Sequence, residues 1–276
     1  MVSIRRELEG YGIAPRKKWG QHFLVDRNIL HKVIQTAGIE GDDTVLEVGP
    51  GLGEMTLALS QKAGRVIAVE IDPKLVKILG EKIAGLGNVE VLEGDILEFD
   101  FRRLLRKGEE AIKVVANLPY QISTPLLFRF IETREIFSSL TLMLQREVAE
   151  RVVACPGMKA YGTLSILVQS VADVSIRFFL KRTVFFPPPR VESALIHITW
   201  KERPVVGPQD EGWFRDVVRG CFQYRRKTIL NAIKHSGLAL SNGTEMRMEE
   251  AGIDPGRRPE TLSIEEFIRL ARTLRT

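Results

Sequence analysis

The chain has 276 residues, 44% of them hydrophobic and 27% charged, an ordinary balance for a folded soluble protein with a sizeable core. Its net charge is +5, with an excess of +3 in residues 1–30 and again in residues 201–276, so a near-neutral body carries basic ends. That distribution favours a polyanionic partner over a small-molecule substrate alone. The two cysteines, Cys155 and Cys221, and the four scattered histidines exclude a disulfide framework and give no metal-spaced motif. The first residues, MVSIRRELEG, lack the apolar stretch of a secretory signal, and no apolar run nears the ~18 residues of a membrane span. An intracellular, cytoplasmic protein without membrane attachment is expected.

In chain order, Thr44–Val48 (TVLEV) is a short apolar run between a turn signal and a glycine cluster, the pattern of a buried parallel strand. Apolar residues at helical spacing follow from Met55. Arg65–Val69 predicts a second strand, and Pro73–Ala84 a helix with proline in its first turn. Val89–Leu92, Ala111–Ala116 and Leu140–Leu144 predict three more strands. This alternation predicts a parallel, doubly wound α/β sheet of Rossmann type. Val174–Leu180 and Ala194–Trp200 lack a long helix between them and are expected to complete the sheet as an antiparallel pair. The segment Arg203–Glu211, with two prolines and a glycine, predicts a linker. Helical spacing over Trp213–Phe222 and Thr228–Ile233, and a capping box at Ser263–Glu266 ahead of Phe267–Leu274, predict a small all-α domain. The expected division is 1–202 and 203–276.

Four elements carry chemistry at one sheet edge. Glu47-Val48-Gly49-Pro50-Gly51-Leu52-Gly53 brings glycines directly after a strand, so the backbone can pass close to a ligand. The spacing is G-x-G-x-G, not the G-x-G-x-x-G that cradles a pyrophosphate. Glu70, ending the second strand, is placed to accept both hydroxyls of a ribose. Asp95, after the third strand, is placed to accept a hydrogen bond from an adenine amine of a cofactor. The tetrapeptide Asn117-Leu118-Pro119-Tyr120 follows the fourth strand. The exocyclic amine of adenine is a poor nucleophile, because its lone pair is delocalised into the ring. The Asn117 side-chain oxygen and the Leu118 carbonyl can accept its two protons and turn the lone pair toward a methyl sulfonium. Pro119 would stiffen the turn and Tyr120 stack on the base.

These residues resemble the KsgA/Dim family of ribosomal RNA adenine dimethyltransferases, and the likeness runs over nearly the whole chain. It is carried further by Lys18-Trp19-Gly20-Gln21-His22-Phe23-Leu24, Gln145–Arg151, Tyr161–Ser165, Phe185–Ser193 and Arg225–Asn231, in order and with matching gaps. The resemblance implies an S-adenosylmethionine-dependent methyltransferase domain followed by a small helical domain that contacts RNA or the ribosome. It implies methyl transfer to two adjacent adenines near the end of small-subunit ribosomal RNA, within a 30S-type subunit, by a monomer. It implies that His22 and Leu24 contact the cofactor with Gly49, Glu70, Asp95 and Asn117, and that Phe185 sandwiches the target adenine opposite Tyr120. Arg225-Arg226-Lys227, on a helical segment, and Arg16-Lys17-Lys18 beside Trp19 are candidate phosphate contacts. The alternatives are a large-subunit ribosomal RNA methyltransferase of the macrolide-resistance type and a non-catalytic RNA-binding assembly factor. A nicotinamide-dependent oxidoreductase is disfavoured by the glycine spacing.

Overall fold

The computed structural model describes residues 4–16, 19–106, 108, 111–238 and 243–275. The chain divides into two compact units, one of residues 1–149 and 175–199, the other of residues 150–174 and 200–276. A single cut at 202/203, expected from the proline-containing linker, therefore misses the return of 150–174 to the second unit. That segment contains a short helix, Thr163–Gln169, whose five residues Leu164–Val168 are all buried.

The elements in chain order begin with α1 (Ile4–Gly10), β1 (Phe23–Leu24) and α2 (Arg27–Ala37), ahead of the first strand expected from the sequence. Asp26 starts α2 by accepting the N–H groups of Asn28 and Ile29, and Gly38 ends it in the left-handed conformation. The Rossmann-like alternation follows: β2 (Thr44–Val48), α3 (Glu54–Ser60), β3 (Arg65–Glu70), α4 (Pro73–Ile83), β4 (Val89–Glu93), β5 (Ile112–Asn117), α5 (Ser123–Glu132) and β6 (Phe137–Gln145). Then come α6 (Arg146–Val153), α7 (Thr163–Gln169), β7 (Ala172–Leu180), β8 (Phe185–Phe186) and β9 (Ser193–Trp200).

The large sheet has the order β4-β3-β2-β5-β6-β9-β7. Strands β4 to β6 are parallel, and β9 runs antiparallel to β6 between it and β7. Every residue of β2 is buried, as a central strand covered on both faces requires. The registers set Val48 beside Val69, Glu70 beside Glu93, and Asn117 beside Met143. The C-terminal ends of β2, β3, β4 and β5 therefore share one edge, where open α/β sheets bind ligands. One core cluster packs Val33, Ile34 and Ala37 of α2 and Leu59 of α3 onto Val45, Val115 and Met143. The short strand β1 pairs antiparallel with β8, Leu24 opposite Phe185, and so ties the N-terminal segment to the chain before β9.

The second unit adds α8 (Glu211–Gln223), α9 (Ile229–Ser236), α10 (Thr244–Glu250) and α11 (Ile264–Thr273). The expected capping box is present: Ser263 accepts the Glu266 N–H at 3.2 Å, and Glu266 accepts the Ser263 N–H at 2.7 Å. Phe222 stacks on Phe267 with centroids 5.9 Å apart. Arg225–Lys227 do not lie on a helix, as the sequence suggests, but in the turn between α8 and α9. Thr228 ends that turn by capping α9. Arg225 is tied down there, donating to the Lys159 carbonyl at 2.7 Å, whereas Arg226 and Lys227 are exposed. Among the described residues, no helix is long and apolar enough to cross a membrane.

Candidate active site

A cavity of about 360 Å³ opens at the C-terminal edge of β2–β5. Of the residues singled out from the sequence, His22, Leu24, Gly49, Glu70, Asp95, Asn117, Leu118 and Tyr120 all line it. Three acids, Glu54, Glu70 and Asp95, contribute to its wall beside the largely neutral, buried Glu47, and no lysine or arginine does among the described residues. Such a wall suits a ligand bearing positive charge and opposes the pyrophosphate of a dinucleotide.

The glycine loop between β2 and α3 is shaped by positive φ at Gly49, Gly51 and Gly53 (66°, 61° and 86°). A Cβ at Gly51 would stand 2.8 Å from the Phe23 ring, and one at Gly53 would stand 2.3 Å from Leu79 Cδ1. The loop is thus pressed between the N-terminal segment and α4, and no side chain of its own intrudes on the cavity at these positions.

Glu70 is 5% exposed and holds the loop in place. One oxygen accepts the Ile71 and Asp72 N–H groups at 3.0 and 2.9 Å, and the other accepts the Gly51 N–H at 3.1 Å. Burial raises its pKa, against the lowering by these three donors. A carboxylate has about four acceptor positions, so one remains for a ligand hydroxyl while the Gly51 bond stands, rather than the two expected from the sequence. Asp95 accepts the Leu97 N–H through Oδ1 at 2.9 Å.

Asn117 ends β5, and its Nδ2 donates to the His22 carbonyl oxygen at 2.7 Å. Leu118 is buried, and its N–H donates to the Met143 carbonyl at 3.2 Å. The Tyr120 hydroxyl shares a 2.6 Å hydrogen bond with Ser193 Oγ, and its ring lies 5.6 Å from the His22 ring, tilted by 31°. Burial pushes the Tyr120 phenol above its ordinary pKa, so it is neutral at physiological pH. His22 Nδ1 lies 2.6 Å from the Pro187 carbonyl oxygen; that oxygen only accepts, so Nδ1 carries the proton.

One residue does not join them. Phe185 is 3% exposed and packs in the core cluster with Val33, Met55 and Leu195, outside the cavity. The sandwich of an adenine between Phe185 and Tyr120 is therefore corrected: the Phe185 ring is buried among the apolar side chains of the core cluster and does not line the cavity.

Two polar residues at the site were given no role from the sequence. Ser193, 1% exposed on β9, fixes Tyr120 from 73 residues away in the chain. Glu47, 1% exposed within β2, accepts the Thr56 hydroxyl at 2.6 Å. Burial pushes its carboxyl up to about 8, nearby Glu70 adds to the rise, and the Thr56 bond opposes it. Its place inside the strand TVLEV was the available signal, because an acid among buried positions needs a reason.

The model of the ribosomal RNA adenine dimethylases matches residues 13–276. The chain belongs to this family. The enzyme is 45% identical over 270 residues to a protein of Geobacter metallireducens named ribosomal RNA small subunit methyltransferase A, covering 97% of this chain and 98% of that one. A protein of the same name from Moorella thermoacetica is 47% identical over 270 residues, covering 95% and 93%. Among solved structures, a dimethyladenosine transferase from Plasmodium falciparum aligns with a TM-score of 0.75 and 29% identity, over 90% of this chain and 96% of that one. The 23S ribosomal RNA methyltransferase ErmE aligns with a TM-score of 0.70 and 25% identity, over 92% and 100%. The enzyme thus has the methyltransferase fold and acts on adenine in ribosomal RNA.

Proposed function

We propose that the cavity binds S-adenosylmethionine and that the enzyme transfers methyl groups from it to the amine of two adjacent adenines near the end of small-subunit ribosomal RNA, within a 30S-type subunit in the cytoplasm. The single observation that carries this reading is the meeting of Asn117, Leu118 and Tyr120 with the acid-lined, glycine-cradled cavity at one sheet edge.

The residues present fit the cofactor. The glycine loop leaves backbone at the cavity wall, Glu70 keeps an acceptor position for a ribose hydroxyl, and Asp95 is placed for the cofactor's adenine amine. His22 and Leu24 border the same space. S-adenosylmethionine, when bound, supplies an electrophilic methyl on a sulfonium, and the lack of a lysine or arginine in the described wall suits that charge.

Asn117 and Leu118 then act on the target base. The two acceptors, Asn117 Oδ1 and the Leu118 carbonyl, accept hydrogen bonds from the two amine N–H groups and localise the nitrogen lone pair; as the new N–C bond forms, the acidified amine N–H loses its proton to water. Tyr120 offers a ring face against the base, steadied by Ser193. No strong base is needed at the nitrogen. The adenine must be turned out of its stack to reach the cavity, at a cost of a few kcal/mol. Phosphate contacts that offset this cost come from basic side chains, with exposed Arg226 and Lys227 the candidates in the second unit.

The reading over a large-subunit target is favoured by the curated relatives at 45–47% identity, which carry the small-subunit name over nearly their full length. The test is to offer purified small and large subunits, each unmethylated at adenine, in parallel. Label entering only the small subunit supports the reading, and label entering only the large one overturns it.

A further inference from the structure

The N-terminal segment, residues 4–16 and 19–24, does more than supply His22 and Leu24. Ile4, Trp19 and Gln21 also line the cavity, so this segment forms one of its walls. Beyond the β1–β8 pairing and the His22 hydrogen bonds that anchor its far end, the segment is fastened at two further points, and both lie on or next to the same helix, α4.

The first point is Arg16. Its guanidinium Nε lies 3.6 Å from Asp72 Oδ2, an oxygen that is buried and accepts no hydrogen bond. Asp72 caps α4 through Oδ1, which accepts the Lys74 N–H at 3.1 Å, and its own N–H is held by Glu70. A carboxylate whose side chain is only 1% exposed needs a compensating charge, and Arg16 is placed to supply it. Arg16 also lies 4.6 Å over the Trp19 ring, and its backbone N–H donates to Gln21 Oε1 at 2.8 Å. These contacts hold Trp19 and Gln21 against the cavity.

The second point is Lys82, in the last turn of α4. It pairs with Glu7 of α1 and donates to the Leu52 carbonyl of the glycine loop at 2.7 Å. Leu8 of α1 is buried against Phe23, Leu52, Leu75 and Ile78. One lysine thus joins the N-terminal helix to the loop, while Arg16 joins the following residues to the turn that carries Glu70.

We propose that Arg16 and Lys82 are positioning residues that latch the N-terminal segment shut over the cavity, so that cofactor binding and closure of the segment are one linked event. This rests on the reading of the cavity as the S-adenosylmethionine site. A ligand that needs the closed state has an apparent Kd divided by the closed fraction. Loosening either latch therefore weakens cofactor binding, while saturating cofactor restores the closed segment and with it the His22 carbonyl that holds Asn117.

The test is calorimetry of the full chain with S-adenosylhomocysteine and no RNA, together with hydrogen exchange of the amides in residues 4–24. Arg16→Met and Lys82→Met are each expected to weaken binding by about tenfold. Glu7→Gln, which spares the Lys82 bond to Leu52, is expected to weaken it severalfold, and Arg16→Lys to restore part of the loss. In wild type the ligand slows exchange of the segment; in the variants that slowing shrinks. For Lys82→Met, kcat at saturating cofactor stays within about twofold of wild type while KM for the cofactor rises. Variants that bind as wild type does, or ligand that leaves the segment's exchange unchanged, would overturn this inference alone. Wild type that does not bind the ligand at all would overturn the cavity reading and this inference with it.

Discussion

Asn117 Nδ2 donates to the His22 carbonyl oxygen at 2.7 Å, and this bond decides which way round the amide lies. A carbonyl can only accept, so the atom facing it must be the nitrogen. The Asn117 oxygen is thereby the atom left for the role proposed for it, accepting from the adenine amine. A residue of the N-terminal segment, 95 positions away in the chain, orients the acceptor in the tetrapeptide.

Asn117→Ala removes that acceptor, whose contact strengthens as the nitrogen loses conjugation. Its loss is expected to lower kcat by about 10²–10³, as for removal of one preorganised group at a developing charge. Cofactor affinity is expected to fall far less. Steady-state kinetics beside calorimetry separates the two, and equal losses in both would count against the proposed role. Asn117→Asp should be as inactive, because a carboxylate cannot donate to the His22 carbonyl.

Glu70→Ala is expected chiefly to weaken cofactor binding. It removes the proposed ribose acceptor and also frees the Gly51, Ile71 and Asp72 N–H groups that the carboxylate now holds. Calorimetry with S-adenosylhomocysteine reads this directly, and unchanged affinity would take Glu70 out of the site.

Phe185→Ala provides the check on the corrected residue. A buried ring in the core should destabilise the fold by about 3–5 kcal/mol when truncated. In Phe185→Leu, which keeps most of the apolar volume, the KM for ribosomal subunits should be close to that of wild type. A large rise in that KM with an unchanged melting temperature would restore the stacking role.

Glu47 makes stability depend on pH in the direction opposite to a salt-bridged acid. Its carboxyl is raised from the ordinary 4.5 to about 8 in the folded protein. Between those values the folded state binds more protons than the unfolded one, so stability falls as pH rises. At one pKa unit per 1.36 kcal/mol, its share of the loss from pH 4 to pH 7.5 is on the order of 4 kcal/mol. Glu47→Gln keeps an acceptor for Thr56 and should remove that share, which denaturant melts of both proteins across the pH range will show. Parallel slopes in wild type and variant would mean that Glu47 ionises normally.

Much of this site was legible before the fold was known. Glu70 and Asn117 close β-strand runs and Gly49 and Asp95 lie just past two others, and parallel strands must bring such ends to one edge. The strands themselves were equally plain: TVLEV at Thr44–Val48 coincides with β2, and Pro73 opens α4 as its position suggests. What escaped depends on long-range contacts. Whether Phe185 faces the base or the core depends on its packing against Val33, Met55 and Leu195, and no local pattern encodes that. Ser193 meets Tyr120 only because β9 inserts beside β6. Residues 150–174 join the second unit past a strand, although the linker at 203–211 carries the local turn signals. Lys17 and Lys18, proposed as phosphate contacts, lie outside the described residues.

The central claim is that this site dimethylates adenine in the small subunit. The measurement is transfer of labelled methyl from S-adenosylmethionine into small ribosomal subunits that lack their terminal adenine methylation, with nucleoside analysis of the digested RNA. The account predicts label in dimethyladenosine with wild type, and almost none with Asn117→Ala at the same cofactor occupancy. Label in another nucleoside, or no incorporation by wild type that demonstrably binds the cofactor, would contradict it.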